Sequence, residues 1–150
     1  MGFALNNQRV GLLLGIVMFL GAMMTAYFDN AAVWSWVSLV TFAFVVWTVA
    51  RIWRSSTGDA ILRGAVIGAM AMVVARLVGL VSTRLLFSEW TVNSPGYDVL
   101  SGPITDMQRV ILNGSFGQTL ILVIASSLLA AAITFGARLL GQELINRRSA

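Results

Sequence analysis

The sequence predicts an all-α integral membrane protein, a four-transmembrane-helix bundle with both termini on the cytoplasmic side. Three observations carry that expectation. Of 150 residues, 58% are hydrophobic and only 11% are charged, with a mean hydropathy of +0.85, whereas soluble domains carry about 25% charged residues. A chain this short cannot bury so much apolar surface within itself, so lipid must act as the outer solvent. Second, the apolar residues fall into runs near the ~20 residues that a helix needs to cross the hydrocarbon layer. Third, the arginines are distributed unevenly between the segments that join those runs.

The first span covers about 10–28 and carries no charge. Its apolar stretch exceeds the 7–15 residues of a signal-peptide core, so it reads as a retained span. The second, 31–50, is also uncharged and is separated from the first only by Asp29 and Asn30, which implies a tight helical hairpin. The third, 61–87, is long enough to tilt or to project beyond the bilayer. The fourth covers about 115–140. The whole chain, 1–150, forms a single membrane domain.

Orientation follows the positive-inside rule. With the N-terminus inside, Arg9, Arg51, Arg54, Arg63, Arg138, Arg147 and Arg148 are cytoplasmic, while Arg84 and Arg109 are outside and Arg76 lies within the third span. Tyr27, Phe28, Trp34, Trp36 and Trp90 then cluster at the outer interface, with Trp47 and Trp53 at the inner one. These are the headgroup levels that amphipathic rings favour.

The outer loop, 88–114, is the only sizeable extramembrane segment. Ser101 and Pro103 provide a helix start. Beyond them Ile104, Met107, Val110 and Ile111 fall on one side, opposite Thr105, Asp106, Gln108 and Arg109. That pattern predicts a short amphipathic helix in the outer interface, with Gly114 ending it. Asn113, Gly114 and Ser115 match a glycosylation pattern, but the match is short and close to the membrane; as a functional feature the loop is a lid, a docking surface or, by default, a tether.

Within lipid, helices associate through close backbone approach and interhelical polar contacts. The third span presents Gly64, Gly68, Ala71, Ala75 and Gly79 at helical spacing. The first presents Gly11, Gly15, Gly21 and Thr25; the fourth has Ser126 with Ala130, and Ala125 with Ala132 and Gly136. Spans one, three and four are therefore expected to pack tightly, and the bulkier second to face lipid or a partner.

Arg76 is the main candidate for functional chemistry. At 1.5 Å per residue it lies about 20 Å along the helix from Arg63 and about 12 Å from Arg84, in the outer half of the hydrocarbon. An unpaired guanidinium there costs at least about 2–3 kcal/mol. It must meet a carboxylate, helix-end carbonyls or water, or snorkel outward. In the structural reading, Asp29 or a loop acid (Glu89, Asp98 or Asp106) pairs with it and fixes the bundle. The functional reading instead uses the shared face of Arg76, Gly79 and Thr83, with Arg84 nearby, as a basic pocket for an anion or an anionic headgroup, with Asp29 at its edge. Arg51, Arg54, Arg63, Arg147 and Arg148 form a cytoplasmic rim that surface potential alone would bring to anionic lipid.

Several classes are disfavoured. There is no cysteine or histidine, hence no disulfide, no zinc site built on those ligands and no histidine-held haem. No metal or other cofactor is expected. No basic stripe with interleaved aromatics suggests nucleic acid, and no phosphate loop or carboxylate pair suggests an enzyme. Ser126 and Ser127 are expected to bond to backbone carbonyls. All ten basic residues are arginine, which leans toward a GC-rich bacterial source and an inner-membrane location. The expectation is a non-catalytic membrane protein, an accessory subunit of a complex or a self-associating bundle. Its partners would be membrane lipids and other membrane subunits or copies of itself. The alternative is a channel, carrier or lipid-binding protein centred on Arg76.

Overall fold

In a membrane, a backbone without internal hydrogen bonds is costly, so apolar runs fold as helices. The computed structural model describes residues 2–27, 31–85, 110–112 and 114–149. The described residues are essentially all helical: α1 spans Gly2–Tyr27, α2 Ala31–Ile52, α3 Thr57–Leu85 and α4 Phe116–Ser149. Over Asn7–Met24, Thr57–Ser82 and Phe116–Ser149 the helices are long and apolar enough to cross a membrane, whereas the described apolar stretch of α2, Trp36–Ile52, is shorter.

Local signals set the helix starts. Ser56 caps α3: its hydroxyl accepts from the Asp59 backbone N–H at 3.3 Å, and the Asp59 carboxylate in the first turn complements the helix dipole. Ser115 and Gln118 form a reciprocal capping box at α4. The Ser115 N–H donates to Gln118 Oε1 at 3.0 Å and the Gln118 N–H to Ser115 Oγ at 3.3 Å. α4 continues well past the 140 boundary expected for the fourth span. No proline interrupts Leu139 to Ile145, and Arg147 and Arg148 in its last turn suit the negative end of the dipole.

The helices pack in a ring, α1 against α2 and α3, with α4 closing it against α3 and α2. The core is small and close-set. Leu14, Met18 and Ala22 of α1 meet Ile67, Ala71 and Ala75 of α3, while Phe42 and Val46 of α2 and Ala130 of α4 complete the cluster. Many other large apolar side chains point outward: Phe44, Ile121 and Leu128 are each about two-thirds exposed. Water-soluble monomers rarely show extended apolar faces of this kind. The outward surface suits lipid.

The glycines mark where backbones approach. A Cβ at Gly68 would run into the Ser126 carbonyl and Ala130, and one at Gly64 into Thr134 and the Ala130 carbonyl. Gly11 meets Met70, and Gly15 meets Val74 and the Ala71 carbonyl. Hydroxyls reinforce the α3–α4 seam, with Ser126 Oγ donating to Gly68 O and Ser127 Oγ to Ala65 O, both at 3.0 Å. Two details differ from the sequence expectation. Gly21 packs on Ser38 of α2, so the second helix also takes part in close contact. Ala125 and Ala132 are exposed, and Gly136 approaches Trp47 of α2. On α4 the buried row is Ser126, Ala130, Thr134 and Ala137, which follows helical spacing, and Ala125 and Ala132 lie off that row.

Candidate functional site

The polar centre of the bundle forms where α3 meets the end of the segment leading into α4. One helical turn, Val110 to Leu112, precedes Gly114, and its Ile111 and Leu112 are completely buried or nearly so. The turn fits because Gly79 has no side chain: a Cβ there would collide with the Ile111 carbonyl. Gly114 allows a similar approach, since its own Cβ would lie 2.6 Å from Val110 O. The Gly114 N–H donates to that same carbonyl at 2.9 Å.

A helical turn that stops inside a protein leaves its last carbonyls without N–H donors from further along the chain. Arg76 supplies them. Its Nη1 donates to Ile111 O at 3.3 Å and Leu112 O at 3.2 Å, and its Nη2 donates to Gly114 O at 2.7 Å. Each side solves the other's problem: the carbonyls solvate a cation on an apolar helix, and the cation satisfies chain-end oxygens shut off from water. Charge-assisted bonds of this kind are worth about 1.5–3 kcal/mol each. Lysine would match the arrangement less well, because its three donors radiate from a single nitrogen, whereas here two nitrogens of a planar fork address the three oxygens.

Among the candidates read from the sequence, the structure brings together Arg76 and Gly79, with Ala75 buried one residue away. Thr83 and Arg84 are on α3, but their side chains lie outside the described residues, as do Asp29 and the loop acids. The described part of the segment before α4 is tucked against α3, and the amphipathic stretch preceding it lies outside the described residues.

A comparable clamp operates at the opposite end of the bundle. Arg138 of α4 donates through Nη2 to Trp53 O, just past the end of α2, at 2.9 Å, and to Ser55 Oγ at 3.4 Å. Nearby, Arg63 bonds Asp59 at 3.0 Å and lies 5.7 Å from the centre of the Trp53 ring, a cation–π distance. Sequence reasoning treated Arg138 as one more topology-setting charge and so missed this role. Beside it a cavity of about 290 Å³ is lined by Arg51, Arg138, Gln142 and Arg148.

Other hydroxyls also bond to carbonyls. Thr41, Thr48 and Thr134 donate to the backbone four residues earlier. Among the described residues no group of three or more acidic, histidine or cysteine side chains could hold a metal ion. No protein-family model, curated protein or solved structure matches this chain.

Proposed function

We propose that this protein is a non-catalytic membrane subunit, a four-span bundle with both termini inside that assembles with copies of itself or with other membrane subunits. One observation carries the reading: two arginines and two serines within the bundle hold its own backbone together. Arg76 and Arg138 clamp chain ends, and Ser126 and Ser127 bond across the α3–α4 seam. At about 1.5 Å per residue the 22 residues of α2 rise about 33 Å, which supports its role as the fourth crossing. The arginine bias supports cytoplasmic termini, and the lysine-free composition supports a bacterial inner membrane.

The association face is the stripe Val33, Trp36, Val37, Val40 and Phe44 on α2, each about half or more exposed. These positions recur at three- and four-residue intervals and so share one side of the helix. Because the chain has no cysteine, single substitutions give unambiguous cross-links. In native membranes, Val40→Cys should yield a disulfide dimer or a cross-linked partner, whereas Leu128→Cys on the outer face of α4 should not. A strictly monomeric chain in mild detergent, without any co-purifying protein, would reject the proposal.

The Arg76-centred reading, a channel, carrier or binding site for an anion, requires the three carbonyls to release their donor. Unchanged anion flux and lipid retention in Arg76→Gln, measured on folded protein, would remove it.

A further inference from the structure

The cavity at the Arg138 end combines features that point to a ligand. Three guanidiniums, those of Arg51, Arg138 and Arg148, border it together with Gln142, and no carboxylate is among its lining residues. Three cations around one space repel one another, and an anion between them turns that repulsion into attraction. Arg138 cannot turn away to relieve that repulsion, because its Nη2 is held by Trp53 O and Ser55 Oγ.

The shape of the cavity is set by α4. Arg138, Gly141, Gln142, Ile145 and Arg148 fall on one side of the helix, at offsets of three, four, seven and ten residues. The two arginines stand about 15 Å apart along the axis, and between them Gly141 leaves the floor open, since a Cβ there would meet nothing within 4 Å. Arginine forks match phosphate oxygens, and Gln142 adds a neutral donor. The remaining walls, Leu144 and Ile145, are apolar and at least half exposed, continuous with the surface suited to lipid.

We propose that this cavity binds a phosphate group, with the headgroup of an anionic phospholipid as its source. The guanidiniums of Arg51, Arg138 and Arg148 hold the phosphate, and acyl chains lie along Leu144 and Ile145. A simple basic surface would attract any anionic bilayer without regard to which arginines supply the charge. This cavity instead singles out Arg51 and Arg148 over Arg54 and Arg147.

The test uses the full chain in mild detergent, following its thermal unfolding with added phosphatidylglycerol, phosphatidylcholine or inorganic phosphate. Phosphatidylglycerol should raise the midpoint of the native chain and of the Arg54→Gln/Arg147→Gln pair. In the Arg51→Gln/Arg148→Gln pair the lipid concentration giving half the effect should rise roughly tenfold or more. Gly141→Leu, which fills the floor and keeps every charge, should lose the response as well. If inorganic phosphate reproduces the shift and the same variants abolish it, the phosphate site stands and its source is a soluble phosphate. Equal loss in both arginine pairs, an undiminished response in Gly141→Leu, or an equal response to phosphatidylcholine would overturn the proposal.

Discussion

Arg76 holds a position where a charge is normally excluded, and its three carbonyl partners explain why it is tolerated. Removing it would take a donor from the Ile111, Leu112 and Gly114 oxygens, at about 1–3 kcal/mol for each buried group that finds no substitute. Arg76→Gln should therefore lower unfolding stability in micelles by about 2–4 kcal/mol. Arg76→Lys should fall between, since an ammonium reaches fewer of the three oxygens. Equal stability in all three proteins, measured by denaturant titration of tryptophan fluorescence, would rule out the clamp. The sequence made Arg76 conspicuous and admitted helix-end carbonyls as one class of partner. It could not name them, because a carbonyl belongs to every residue and leaves no compositional mark. The partners also lie 35 to 38 positions further along the chain, beyond any helical periodicity.

At the scale of elements, glycine spacing on α3 was a legible signal, and its use can be tested against glycines that touch nothing. Gly68→Ala pushes a methyl into the Ser126 backbone and should cost about 1–3 kcal/mol through overpacking. Gly117→Ala, with open space around it, should be neutral or slightly stabilising, as the better helix former. Ser126→Ala should cost about 0.6 kcal/mol, the usual size of one interhelical hydrogen bond in lipid. A comparable loss in Gly117→Ala would show that glycine content alone, without close approach, sets stability. Helix ends were less legible than helix centres. The apolar runs mark where hydrocarbon would begin and end, whereas α1 starts at Gly2 and α4 runs to Ser149 because helix formers continue past those limits. The Ser115 and Gln118 box did carry a readable spacing, and Ser115→Ala should cost about 1 kcal/mol, detectable in the same titration.

For the whole molecule, the bundle sets small residues at its helix contacts and leaves many large apolar side chains on its outer surface, which suits a lipid solvent. Reporter tags at the two termini should both report the cytoplasm, and opposite locations would eliminate a four-crossing topology. The ring of helices was only partly foreseeable: Gly21 against Ser38 joins α1 to α2, although the bulk of α2 argued for looser contact. The two arginine clamps also impose an order on biogenesis. Arg76 emerges before the oxygens it serves, so the turn at Ile111 can be satisfied as soon as it leaves the ribosome and meets α3. Trp53 O emerges long before Arg138 and must wait, bound by headgroups or water, for the last helix. A nascent chain arrested before Arg138 would thus be secured at one end and loose at the other, so the final helix acts as the bolt that closes the bundle.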